Sequence, residues 1–272
     1  MVLCSLGDLL LDVVVRLDEP LPRDGEATAV TRVGAGGQAA NVAAWAAVVD
    51  AEARFVGKRA EDATGRLVAQ ELGARGVAVL GPVGEGRTGV VVSLAEPGGV
   101  RSLASDRGVA PDLRAEELEM AWFRGCDVLH LSGYSLFRSP IDHAGAKAAG
   151  AVRQQGGRIS VDLSAAEAIL AFGAERFRNR LGQLQPDVVF ATEREVDALG
   201  GEVPASVLVR KRGAEGIAVE TGGETVDLAA TPADVVDTTG AGDALAAGFL
   251  VGGPELGLAA AARCVAKLGA MP

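Results

Sequence analysis

The chain has 272 residues, 49% of them hydrophobic and 23% charged, enough for a substantial core and ordinary for a globular enzyme. A formal net charge of −10 supplies no basic footprint for nucleic acid or an anionic membrane, and no uncharged run is long enough to span a bilayer. Cys4, Cys126 and Cys264 are far apart and lack metal-ligand spacing, so they read as reduced, buried thiols of a cytoplasmic protein.

Residues 2–6 are predicted to be a strand rather than a signal peptide, because no basic lead-in precedes them and Asp8 follows. Strands are expected at 9–15 and 27–33, separated by a Pro/Gly/acid turn at 18–25. A helix at 38–49, a strand at 54–56 and a helix at 64–75 come next. Residues 88–95 and 100–104 form a predicted hairpin around Glu96-Pro-Gly-Gly99. Beyond it, short β-rich runs at 128–131, 159–161, 188–190 and 207–209 alternate with helix-like stretches such as 144–155 and 193–199. Such alternation argues an α/β fold with a parallel sheet covered on both faces, whose ligand lies at the carboxyl ends of the strands. Asp162 and Thr192 fall at those ends. The strands within 9–33 and 88–104 break the rhythm and are expected to assemble into a small separate sheet, a lid over the site.

Two glycine-rich stretches carry the chemistry. Asp237-Thr-Thr-Gly-Ala-Gly-Asp243 leads into an apolar, helix-favouring run beginning at Ala244. A helix N-terminus exposes unpaired N–H groups, so Gly240, Ala241 and Gly242 suit a phosphate, and Asp243 facing the same ligand suits a base for an attacking hydroxyl. A tight loop with an acidic cap is the competing reading, and these residues alone leave both open. The second stretch, Gly34-Ala-Gly36-Gly37-Gln-Ala39-Ala-Asn41, satisfies GxGxxG/A literally. A dinucleotide fingerprint wants an acid at the end of the next strand, whereas Asp50 and Glu52 precede it. Asn41 offers a donor and an acceptor to a polyol, or else caps the helix.

No P-loop, protein-kinase signature or GxSxG elbow is present, and His130 reads as core or pocket wall. Glu193 and Glu195 open a helix after a strand, where an acid can ligate Mg²⁺ or simply face the helix dipole. Arg210, Lys211 and Arg212 put three cations at a strand end, either as a solvated turn or as the positive charge that a polyphosphate needs.

Taken together the chain resembles the ribokinase-like carbohydrate and nucleoside kinases, the PfkB family, over nearly its whole length. Gly36-Gly37-Gln-Ala-Ala-Asn41 with Val56-Gly57 to Gly65 is similar to the first family signature, and Asp237 to Asp243 to the second. Gly7-Asp-Leu-Leu-Leu-Asp12 resembles the opening strand and Thr88 to Ser93 the lid strand. The resemblance implies one domain over 1–272, a three-layer α/β/α sandwich with a mostly parallel central sheet plus a small β-sheet lid. It also implies phosphoryl transfer from ATP with Mg²⁺ onto an alcohol, with Asp243 as base and Gly240, Ala241 and Gly242 as the anion hole. Asp12, Gly36, Gly37 and Asn41 are then expected to hold the acceptor, and Thr192, Lys211, Gly213 and Thr239 to lie on the nucleotide side. Glu195 is expected to hold Mg²⁺ through water, Asp237 to belong to a K⁺ site, and the lid strands to form a homodimer.

The chain departs from the family pattern in four places. Thr192 stands where asparagine is expected, and Lys211 where threonine is frequent. The segment from Ala104 to Ala110 lacks an asparagine, and Lys267 to Pro272 ends soon after Gly269. A small sugar is the expected acceptor. A nucleoside or pseudouridine is the alternative, with Tyr134, Phe137 and Trp45 as the few stacking candidates. A 2-keto-3-deoxy sugar acid is another, with Arg101 or Arg107 for its carboxylate, and a non-catalytic sugar or nucleotide sensor a third.

Overall fold

The computed structural model describes residues 1–97 and 101–272; positions 98–100 of the predicted hairpin turn, and the side chain of Arg101, lie outside the described part. The chain opens with β1 (Val2–Leu6), β2 (Leu10–Leu17) and β3 (Ala29–Gly36), then α1 (Gln38–Val48), β4 (Glu52–Val56), β5 (Arg59–Ala60), α2 (Ala63–Gly73), β6 (Ala78–Leu80) and β7 (Val83–Gly84). The strands β8 (Thr88–Ala95) and β9 (Arg101–Gly108) follow, and short 3₁₀ turns lead to β10 (Val128–Ser132), α3 (Gly133–Leu136), α4 (Ile141–Gln154), β11 (Arg158–Asp162), α5 (Ala166–Phe172) and α6 (Ala174–Leu184). Then come β12 (Val188–Thr192), α7 (Glu193–Leu199), β13 (Val207–Lys211), β14 (Ile217–Thr221), β15 (Glu224–Leu228), α8 (Ala241–Gly252) and α9 (Pro254–Val265).

Nine strands form the main sheet in the order β15-β14-β13-β12-β11-β10-β1-β4-β6, parallel except where β14 and β15 turn back antiparallel at one edge. Its central strands are apolar on both faces, as burial under two helical layers requires. Successive residues alternate between the layers: Leu3, Phe55, Val128 and Phe190 pack against one core, Cys4, Val56, Leu129 and Val189 against the other. The first core holds α1 and α8, which are alanine-rich and buried almost all round, as helices apolar on every side must be. The three free cysteines are buried, and among the described residues no helix is long and apolar enough to cross a membrane.

A separate four-stranded sheet runs β3-β2-β8-β9, with β2 and β8 parallel and the outer pairs antiparallel. Here the sequence reading needs one correction. Gly34 and Gly36 belong to β3, so of that glycine cluster only Gly37 forms the turn into α1. Its φ of +103° and the Asp8 carbonyl 2.4 Å from where a Cβ would stand leave no room for any other residue. The order of the main sheet reverses between β10 and β1, the switch point at which open α/β sheets place their ligands.

Candidate active site

A cavity of about 470 Å³ lies at that switch point, walled by the carboxyl end of β1, the starts of α1 and α8, and the inner face of the four-stranded sheet. Asp8, Asp12, Asn41 and Asp243 line it together with Gly37, Thr239 and Gly240. Its size suits a small metabolite.

The starts of α1 and α8 meet there. Asp243 is the third residue of α8, after the turn whose Gly240 has a φ of +77° and fits flush against Ala270, 2.5 Å from where a Cβ would stand. Asn41, one turn into α1, does not cap its own helix. Its Nδ2 donates to Asp243 Oδ2 at 2.7 Å, and its Oδ1 is buried with no partner among the described residues. An orphaned buried acceptor is costly, so it points to a ligand hydroxyl. Gln38 also hydrogen-bonds toward Asp243, while its Oε1 accepts the Ser132 hydroxyl and, at 2.6 Å, that of Ser164. Burial pushes the Asp243 carboxyl up to about 7, against the pull of the Asn41 amide; the Asp162 carboxylate adds to the rise, and the Lys211 ammonium opposes it.

Lys211 reaches this point from the end of β13. Its Nζ donates to Asp162 Oδ2 at 2.7 Å and stands 3.8 Å from Glu195 Oε2, beside Gly242. Burial lowers its pKa, but the Asp162 and Glu195 carboxylates more than offset this and the net displacement is upward, so the cation persists. The other two cations of the predicted cluster do not share its role. Arg210 is tied to Glu193 and Glu220, and Arg212 to Asp227, because alternate residues of a strand face opposite ways. Glu195 closes a capping box with Thr192 and is buried, which raises its pKa. Among the described residues no cluster of three or more His, Cys, Asp or Glu forms a metal cage. The buried Glu195 carboxylate fits a Mg²⁺ carried mainly by substrate phosphates and water.

Several predicted residues settle elsewhere. Both Asp237 oxygens are engaged, Oδ1 by the Thr239 N–H and hydroxyl and Oδ2 by the Gly269 N–H, so this side chain clamps the C-terminal segment. Gly213 is exposed at the turn after β13. Arg107 is held by Asp8 in a two-pronged ion pair (2.5 and 2.8 Å) and donates to the Tyr134 carbonyl, joining β9 to the segment after β1 along the cavity wall. It is therefore not a free cation for an acceptor carboxylate. Of the aromatic candidates only Tyr134 lines the cavity; Phe137 packs with Phe172 and Phe177, and buried Trp45 donates to the Ala270 carbonyl. His130 is fully buried against Ser160 and its pKa falls to about 4 through burial, so it is core. Sequence reasoning passed over Asp8, Gln38, Ser132 and Ser164 as site residues. The one available signal was their position just past strand ends or at a helix start.

This is the architecture of the ribokinase-like α/β kinases. A family model described as pfkB family carbohydrate kinase matches residues 2–271, and the chain belongs to that family; it is a phosphotransferase with an alcohol group as acceptor. A curated relative, the ATP-dependent ribose-1-phosphate kinase of Halopiger xanaduensis, is 31% identical over 258 residues, covering 90% of this chain and 82% of the relative. The crystal structure of adenosine kinase from Sinorhizobium meliloti superposes with a TM-score of 0.86 at 25% identity, covering 99% and 95% of the two chains. An uncharacterised sugar kinase of Pyrococcus horikoshii in complex with ATP gives a TM-score of 0.85 at 23% identity, covering 99% and 95%.

Proposed function

We propose that this chain transfers the γ-phosphoryl group of ATP to a hydroxyl of a small, uncharged sugar or sugar derivative. The observation that carries the reading is the buried Asp243 carboxyl, brought to about 7 beside a helix N-terminus and a lysine, with an unpartnered Asn41 oxygen next to it. An alcohol is too weak an acid to ionise in advance. Asp243 therefore orients the acceptor hydroxyl and takes its proton late, as the new oxygen–phosphorus bond forms and the bond to the departing ADP breaks. The amides of Gly240, Ala241 and Gly242 receive the charge of the moving phosphoryl, and Lys211 adds a fixed cation beside Gly242. Asp12, Gly36, Gly37 and Asn41 hold the acceptor. Thr192, Lys211 and Thr239 would face the nucleotide, and Glu195 would hold a Mg²⁺ through water, the metal supplying charge neutralisation for the phosphates.

The acceptor is read as neutral because, among the described lining residues, the one cation is Arg107, already paired with Asp8. A nucleoside is disfavoured by a wall with one aromatic side chain. A second reading, a phosphorylated pentose, is favoured by the 31% identity to a ribose-1-phosphate kinase. The rest of the proposal is a single domain over 1–272 with its lid, a cytoplasmic location supported by three unpaired cysteines, and a homodimer through lid strands that expose Val30, Val33 and Leu103. ATP consumption with Mg²⁺ over a panel of sugars, sugar phosphates, sugar acids and nucleosides tests the reading. Acceptor-dependent ADP release with a neutral sugar is expected; ATP binding without turnover on any acceptor would leave a sensor instead.

A further inference from the structure

The first turn of α1 aims two amide side chains, not one, at the proposed base. Gln38 and Asn41 are three residues apart in that helix, so they lie as neighbours on one face. Both line the acceptor cavity with Asp243. Asn41 donates to Asp243 Oδ2 at 2.7 Å, and Gln38 hydrogen-bonds to the same carboxyl.

Gln38 differs from Asn41 in being held from behind. A side-chain amide has an oxygen that accepts and a nitrogen that donates, and the end that faces a carboxylate decides between attraction and repulsion. Ser132, the last residue of β10, and Ser164, two residues past β11, both direct their hydroxyls at Gln38 Oε1. Ser132 Oγ already accepts the Tyr134 N–H at 3.2 Å, which leaves its own proton for Gln38. Ser164 lies 2.6 Å from Oε1, closer than the Asp162 carbonyl at 3.1 Å that it also reaches. Its backbone is left-handed, at φ +74°, and its N–H is pinned by Asp162 Oδ1 at 2.8 Å. With two hydroxyls on Oε1, Nε2 is the end turned toward Asp243. A flipped amide would set an oxygen against the carboxylate.

The other groups that face Asp243 are Asp162 from β11, Lys211 from β13, Tyr134 from α3 and Cys264 from α9. Asp8, paired with Arg107, and Asp12 line the same cavity. Burial raises the Tyr134 and Cys264 pKa values, so both are neutral near pH 7. Lys211 gives its hydrogen bond to Asp162. The α1 amides are therefore the direct side-chain donors to the ionised carboxylate among the described residues.

We propose that Gln38 is a positioning residue for Asp243: Ser132 and Ser164 fix its amide so that the N–H end meets the carboxylate and, with Asn41, aims it at the acceptor hydroxyl. That Asp243 acts as base rests on the kinase reading above; the hold of the amide on its carboxylate does not.

Carboxyl-carbon NMR of the ligand-free full chain, labelled in its aspartates, follows Asp243 directly, its signal being the one absent from Asp243→Asn. Gln38→Met keeps the length of the side chain and removes the donor to the ionised form. The Asp243 midpoint should rise by roughly one pH unit, a tenfold change in the protonation equilibrium. Ser132→Ala with Ser164→Ala frees the amide to turn, so it should raise the midpoint by less and add nothing to Gln38→Met. A midpoint unmoved in Gln38→Met, or a serine effect undiminished without Gln38, would overturn the proposal. Thermal unfolding gives an independent measure and confirms that each variant is folded. A carboxyl displaced further upward penalises the ionised state, so Gln38→Met should lose more stability at about pH 8 than at about pH 5. That difference should vanish once Asp243→Asn is added; an equal loss at both pH values would mark a merely structural side chain and refute the positioning role. Asp243→Asn with full turnover would instead remove the base assignment and leave the midpoint shift standing.

Discussion

Asp243→Asn removes the proposed base and should stabilise the fold. The carboxyl is raised from 3.8 to about 7, chiefly by burial, and so its ionisation costs more in the folded protein than in the unfolded chain. A carboxyl displaced upward carries no penalty below its unfolded pKa. The penalty grows through the interval and is complete once pH exceeds the folded pKa. The displacement corresponds to about 4 kcal/mol above pH 8 and less than half of that at pH 5. At about 2 °C per kcal/mol for a chain of this length, the ligand-free variant should unfold up to roughly 8 °C higher at pH 8. At pH 5 its advantage should shrink to a few degrees. Scanning calorimetry of wild type and variant at both pH values reads this out, and turnover measured in parallel should fall by orders of magnitude. A variant no more stable than wild type at pH 8, or equally favoured at both pH values, would refute the account of a base held at the expense of stability. Near wild-type turnover would refute the base itself.

Three further outcomes follow from the same geometry. The acid limb of kcat/KM should lie near pH 7, and Asp162→Asn should move it to lower pH, because the Asp162 carboxylate holds the Asp243 pKa up; a limb that stays in place would remove the electrostatic link. Gly240→Ala should lower the melting temperature, since its φ is +77° and the new methyl would stand 2.5 Å from Ala270, whereas Gly242→Ala should fold normally and lose turnover, its methyl meeting only Lys211 at 3.7 Å. Equal losses of stability in the two would contradict a cradle role for Gly242. Comparing turnover in potassium and in tetramethylammonium buffers tests the cation role expected of Asp237, whose oxygens also hold the Thr239 and Gly269 amides; a marked potassium requirement supports that role, and identical turnover removes it.

The sandwich and the glycine-rich turn into α8 were legible because they are local. Strand–helix alternation is a pattern of short windows, and Gly240 to Asp243 must be contiguous to build a helix start. What the sequence concealed was pairing at a distance. Arg210, Lys211 and Arg212 look equivalent in a row, and strand alternation alone turns the middle one toward Asp162. Arg107 looks like a free lid cation until Asp8, 99 positions away, is seen to hold it. Asp237 gives no sign of a partner beyond its own turn until the Gly269 amide, 32 positions on, is seen to reach it. The edge strands β14 and β15 were missed for a different reason: four of the five residues of β15 are exposed and two are acidic, so hydrophobic periodicity hardly marks it.

The contact between Asn41 and Asp243 joins positions 202 apart in the chain. Nearly the whole polypeptide must therefore be synthesised and folded before the base meets its amide. A nascent chain carrying the first glycine cluster but not yet α8 has an acceptor wall and no means of transferring phosphate. With Asp243 as the proposed base, the phosphoryl-transfer chemistry is therefore the last feature of the site to form.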